Sequence, residues 1–508
     1  MMRRQENNRQ NLMLTFLLIA FIILQPFLDY RELFVNEKLQ IVGFTIPTLV
    51  RFIGIFVMAL ISLRCITSKK LISSYVAFAI VVILYFLAHH LVVSKEMILP
   101  FSYKYSFMSE LLYVARMILP FIVLYLTVVV KITYEKFILC IQVVSLTIGI
   151  VIIASNLFHV SLTSYYTAGT YNVLNFIEWF THDLRQYTFE ELTSKGWFFM
   201  ANQIGALMML LLPINLHDML KRTNKLSVIS SLILTTSMIL LGTRVAVYGA
   251  LGMLLVYVVL FLFFKLTKKE DLKWKSGIVL LVLICVICLL FVYSPIQSRV
   301  YSYGEVNTEG IDSVMNDSDY DELDETQVEE NVLELYHDFK ISDAYILKIY
   351  PYNEDLEFWS DFMENYQGEV QNNRNMQNLI TQRIAELNNH FLNKLFGYSH
   401  TRFTNGGLYL EQDIVVHYYT LGIVGIFVLL GPWFWCLGRL LIRMFIGKNR
   451  KISLINCTLA GAIVACIGGS VFSGHVLDEL IVTLILGFVV GFATINHENV
   501  EAVNEVVP

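Results

Sequence analysis

The chain has 508 residues, 56% hydrophobic and 16% charged, with mean hydropathy +0.60 and formal net charge −5. A soluble protein of this length needs more polar surface than that to cover its core, so lipid is the solvent for the excess. The balance of charge points to no nucleic-acid partner. Seven cysteines (65, 140, 285, 288, 436, 457 and 466) fall in apolar segments or at their edges. They read as small buried hydrophobes, not as a disulfide framework or thiolate metal site.

The N-terminus opens with a basic stretch, Met1 to Arg9, then an apolar run from Asn11 to Leu28. That run is long for a secretory signal, and no small-residue cleavage site follows it, so it reads as an uncleaved first span. Stretches of the ~20 residues needed to cross a bilayer recur along the chain. The expected spans are 11–29, 43–63, 71–93, 109–130, 136–158, 198–216, 226–242, 245–264, 276–294, 413–437, 453–473 and 477–495. The expected fold class is therefore all-α, a polytopic bundle of about twelve helices, since backbone amides in hydrocarbon must be satisfied within each segment.

Lysine and arginine orient the bundle. Arg3, Arg4 and Arg9, Arg64, Lys69 and Lys70, Lys131 and Lys136, Lys221, Arg222 and Lys225 fall in the connections of one side. The later ones on that side hold Lys265 to Lys275 and Arg439 to Lys451, so it is expected to be cytoplasmic, with both termini there. The expected division is spans one to nine over 1–294, with an outer loop at 159–197, then an extracytoplasmic domain over 295–412. Spans ten to twelve occupy 413–495, and 496–508 is a cytoplasmic tail.

Between 305 and 369 lie roughly twenty Asp and Glu residues against very few bases, and 305–335 reads as a solvated or disordered surface. From Asn372 onward, Met376, Leu379, Ile380, Ile384, Leu387, Phe391 and Leu395 recur at three- and four-residue steps. That spacing predicts an amphipathic helix ending before Gly397, its stripe packed on the outer ends of the bundle.

Ionisable groups in or beside spans are costly and so are candidates for function. Arg244 stands at the tip of a hairpin between two apolar runs, where a guanidinium clamps a phosphate or snorkels to headgroups. Arg51 and Arg116 lie inside spans, lining a polar cavity or paired with a carboxylate such as Glu110. Near the end of the outer domain come His400, Arg402, Glu411 and Asp413. His400 is a general base near neutral pH, and a desolvated carboxylate is another. Asp413 equally suits a helix N-terminus, and Glu411 water. His417, one turn on, is a bundle histidine or a working one. No phosphate-binding glycine loop, HExxH or GxSxG occurs, against an ATP-driven pump or a metalloprotease.

Three pieces resemble the O-antigen polymerase and O-antigen ligase superfamily. Gly196-Trp197-Phe198-Phe199-Met200-Ala201-Asn202 is similar to its "G-W-F-x-x-x-N" segment, and Leu241-Gly242-Thr243-Arg244 to its "S/T-G-S/T-R-T" hairpin. The third runs from Asn388 to Ser399, then Glu411-Gln412-Asp413 and Leu421-Gly422-Ile423-Val424-Gly425, and is similar to "plfGyG … E/H-x-D … G-h-h-G". The resemblance implies transfer of a glycan from an undecaprenyl-pyrophosphate donor to an acceptor hydroxyl on the outer face of a bacterial cell membrane. It implies Arg244 on the donor pyrophosphate, and Arg244, Glu411, Asp413 and His400 are the expected catalytic residues, His400 lying too far upstream for the position where ligases carry histidine. Arg116, Arg51, Arg402, Asn202 and Trp197 are the expected substrate-binding residues.

Glu411 stands where ligases commonly have histidine, a departure favouring the polymerase branch, in which the acceptor is the next lipid-linked repeat unit. No cofactor or metal is expected. The expected partners are lipid-linked oligosaccharides, the bilayer, a flippase and a chain-length regulator. The rival readings are ligase-type transfer, a polyprenyl-phosphate glycosyltransferase with Asp29 and Glu32 in its first outer loop, and a lipid-linked oligosaccharide flippase.

Overall fold

A computed structural model describes residues 2–40, 44–65, 69–100, 102–161, 171–297, 333, 341–365, 373–446 and 452–495. Apart from Leu333, the acidic stretch 305–335 lies outside the described residues. The helices in chain order begin α1 (Met2–Leu24), α2 (Glu32–Val35), α3 (Ile46–Cys65), α4 (Lys69–Val93), α5 (Phe107–Val130) and α6 (Tyr134–Leu157). Then come α7 (Phe189–Leu192), α8 (Ala201–Arg222), α9 (Lys225–Leu241), α10 (Arg244–Leu266) and α11 (Trp274–Val292). The loop region supplies α12 (Leu356–Asn365), α13 (Asn373–Leu387), α14 (Phe391–Phe396) and α15 (His400–Asn405). The chain closes with α16 (Asp413–Gly425), α17 (Gly431–Phe445), α18 (Leu454–Phe472) and α19 (Leu480–Thr494). A two-stranded ladder, Val160–Ser161 against Tyr171–Asn172, is the one sheet among the described residues.

The protein is all-α and polytopic. Nine helices among the described residues are long and apolar enough to cross a membrane, α16 and α17 counting together as one over Asp413–Phe445. Three shorter apolar helices, Arg9–Leu24, Lys225–Leu241 and Leu480–Thr494, stand where the remaining spans were expected.

The chain divides into two compact units: Met1–Tyr75, Arg116–Ser302 and Pro432–Pro508 form the first, and Val76–Ala115 with Tyr303–Gly431 the second. In the first unit α8 is the central helix, 94% of its apolar stretch being buried, and it packs on α6, α9, α10 and α18. Neighbours engage its polar side chains Asn215 and Asp218, although Asn215 Oδ1 is buried with no partner among the described residues. Gln142 donates to Asp218 at 2.8 Å, and Asn215 donates to Ser145 at 2.8 Å. By contrast α10 and α11 keep only 33% and 28% of theirs buried, as helices facing lipid do.

The second unit has its own core, in which Tyr103, Tyr345, Ile346, Trp359, Phe362, Met376, Ile380, Ile384 and Phe403 pack together. Here the structure departs from the expected single amphipathic helix. The helix stops at Leu387 and restarts at Phe391, because the His390 side chain caps the second segment by accepting from Leu392 N–H at 3.2 Å. Asn388, the first residue after α13, bonds both backbone groups of Ile98 at 2.8 Å. The stripe buries Met376, Ile380 and Ile384 within this unit's own core, and Phe391, expected on the stripe, is 69% exposed.

Candidate functional site

In the first unit, charged groups collect where several helices begin or end. Helix α1 stops at Leu24, one residue before Gln25-Pro26, and the chain turns so that Asp29 is buried beyond the span. The turn is fixed by the segment before α8. Trp197 Nε1 donates to Pro26 O at 3.2 Å, Arg31 N to Trp197 O at 3.0 Å, and Phe199 N to Asp29 Oδ2 at 3.3 Å. Trp197, expected to bind substrate, thus positions the loop that carries Asp29. Asn202, in the first turn of α8, is half-buried.

Arg51, two turns into α3, is 1% exposed. Its Nε donates to Gln25 Oε1 at 2.9 Å, while Nη2 is buried with no hydrogen-bond partner among the described residues. A buried guanidinium with a spare donor is expensive unless an acceptor joins it. Arg116 of α5 sets Nη2 3.3 Å from Glu479 Oε2, and its buried Nε has no hydrogen-bond partner among the described residues. Glu479 stands at the N-cap position of α19, and His475 Nδ1 lies 3.3 Å from Asp478 Oδ2 beside it.

These groups feel one another. Burial pushes the Asp29 carboxyl up to about 7, against the pull of Arg51. Burial raises Glu479 too, with Arg116 opposing it. Lys195, whose Nζ donates to Phe199 O at 3.1 Å, falls to about 8 through burial, with Arg31 adding to the shift. The cluster therefore combines guanidiniums with spare donors and desolvated carboxylates, the two kinds of group that displacement of a phosphate ester needs.

Arg244 is exposed as the first residue of α10. The hairpin before it is built locally: Gly242 ends α9 at φ +69°, and the Thr243 hydroxyl caps α10 by accepting from Ala246 N at 3.2 Å.

In the second unit the segment that carries His400 is built on Glu110, which is 0% exposed. Its carboxylate accepts from Ser399 Oγ at 2.6 Å, Thr401 N at 3.0 Å and His400 N at 3.1 Å, with His89 Nε2 at 2.9 Å. The other ring nitrogen of His89 faces Phe396 O at 2.5 Å, which places a ring proton on Nδ1. Glu110 thus clamps the segment 399–401, and the carboxylate proposed from sequence as a partner of Arg51 or Arg116 is fully engaged within its own unit. The His400 ring lies flat on Tyr113, centroids 3.6 Å apart.

Arg402, expected to bind substrate, is 9% exposed and donates four bonds to backbone carbonyls. Val93 O takes two, at 3.0 and 3.3 Å, Lys95 O one at 2.9 Å and Tyr103 O one at 3.2 Å. That geometry closes the connection between α4 and α5. Glu411 pairs with Arg374 Nε at 2.6 Å and is 36% exposed. Asp413 is buried as the first residue of α16, and its carbonyl meets His417 Nδ1.

The two glycines of the third motif explain each other. Gly397 and Gly422 both have positive φ, +85° and +72°. A Cβ on Gly397 would meet Thr420 O at 2.3 Å, and one on Gly422 would meet Leu395 O at 2.4 Å. Tyr398 N donates to Tyr419 O at 2.7 Å across this backbone contact, which only glycine allows.

Sequence reasoning missed Asp478 and Glu479 by placing them inside the last span. The signal was a pair of adjacent carboxylates that no hydrocarbon segment would keep.

The family model described as "O-antigen ligase like membrane protein" matches residues 10–500, and the chain belongs to this family. No curated protein matches it. It is a multi-pass membrane protein with a glycan-transfer role in envelope polysaccharide biosynthesis.

Proposed function

From its place in the O-antigen ligase like family, we propose that this chain polymerises lipid-linked repeat units, using an undecaprenyl-pyrophosphate glycan as donor. The observation that carries the reading is the buried Arg51, with Nη2 unpartnered, in one cluster with Arg116, Asp29 and Glu479. Spare guanidinium donors suit a pyrophosphate, bidentately and without a metal. Arg244 adds a cation at the head of α10, where the helix dipole also favours an anion.

In the proposed reaction the acceptor hydroxyl oxygen attacks the anomeric carbon of the donor sugar. The bond from that carbon to the pyrophosphate oxygen breaks, the pyrophosphate leaves with the electron pair, and Asp29 takes the hydroxyl proton. A carboxyl held near 7 is matched to that task. Glu479 orients Arg116. Polymerase is favoured over ligase because Glu411 fills the position where ligases commonly carry histidine, and that carboxylate is held in an ion pair with Arg374.

The test is the surface glycan of cells lacking the gene. Single repeat units left on the lipid carrier support polymerisation. Polymer of normal length left unattached on the carrier makes the protein a ligase.

A further inference from the structure

A polar cavity lies in the first unit, lined by none of the residues assigned above. It holds about 510 Å³ and is lined by Arg9, Asn11, Leu12 and Thr15 of α1, the turn Val130 to Thr133, and Lys136 of α6. Three of its lining side chains are cationic and none is acidic. Lys131 ends α5 in the left-handed region at φ +49°, which fixes the turn. None of Arg9, Lys131 and Lys136 has an ion pair among the described residues, and Asn11 Oδ1 is buried without a hydrogen-bond partner.

Like charges around one cavity repel, and an anion within it removes the cost. The unpartnered Asn11 oxygen asks in addition for a donor such as an alcohol O–H. Beside the cavity α1 exposes Leu12 and Phe16, 63% and 70%, an apolar flank for an acyl chain. Basic pockets between membrane helices hold anionic headgroups in this way.

We infer that this cavity is a phosphate-binding site for the headgroup of an anionic phospholipid, with hydroxyl-bearing phosphatidylglycerol as the fitting chemistry. It is independent of the glycan-transfer site, so its test reads binding and not activity.

The full chain, purified in detergent, is offered phosphatidylglycerol or phosphatidylcholine, and retained lipid is counted by native mass spectrometry. Thermal unfolding is followed in parallel with millimolar inorganic phosphate. Wild type is expected to retain phosphatidylglycerol over phosphatidylcholine by on the order of tenfold. Combined Arg9→Gln, Lys131→Gln and Lys136→Gln should abolish that preference, whereas Lys225→Gln with Lys275→Gln should keep it. Protection by inorganic phosphate that the triple variant loses, with no lipid preference, supports the same site with a soluble source of phosphate. A triple variant matching wild type in both assays overturns the site.

Discussion

Arg116 Nη2 lies 3.3 Å from Glu479 Oε2, joining α5, in the first third of the sequence, to the residue at the N-cap position of the last helix. Each is partly buried, at 33% and 18% side-chain exposure. Removing one partner of such a pair strands the other, so a single substitution costs more than the pair is worth. Arg116→Gln and Glu479→Gln should each lower donor turnover, and the double variant should lose less than the product of the two. A double-mutant cycle on polymerisation rate checks this; simple additivity would place the two residues in unrelated roles.

The pH profile follows from Asp29. Its carboxyl is raised from 3.8 to about 7 by burial, so it is neutral below that pH and becomes a base above it. The rate should therefore rise as pH increases through about 7 and then level. Asp29→Asn should lose roughly a hundredfold or more in rate and flatten the profile. A variant that keeps the wild-type inflection would assign it to another group.

Gly397→Ala and Gly422→Ala each place a Cβ against backbone at 2.3–2.4 Å with φ positive. Backbone cannot yield as a side chain does, so each should destabilise the protein by about 3 kcal/mol or more. Gly431→Ala, with nothing within 4 Å of the new carbon, should be neutral or slightly stabilising. Thermal unfolding in detergent separates the two classes.

The bundle was legible because hydropathy and length suffice to mark helices in lipid, and the Leu241-Gly242-Thr243-Arg244 hairpin because turn and cap chemistry is local. The break at Asn388 was not legible, since it depends on Ile98, 290 residues away in the chain. Arg402 looked like a ligand residue for the same reason: the carbonyls that occupy it belong to the distant segment 93–103. Arg51 and Arg116 were visible as costly charges, yet their neighbours Gln25, Asp29 and Glu479 come together only in the fold.

Glu411 and Arg374 form a half-exposed pair, worth less than about 1 kcal/mol. Arg374→Gln should barely move the unfolding temperature. Glu411→Gln should slow polymerisation by less than about tenfold, well short of what loss of a general base costs. A hundredfold loss would transfer the base role from Asp29 to Glu411.

The most direct measurement is the length distribution of surface glycan in cells whose only copy carries Arg51→Gln, with membrane abundance matched to wild type. The account predicts single repeat units stalled on the lipid carrier, because the buried guanidinium no longer holds the pyrophosphate. Polymer of wild-type length would contradict it.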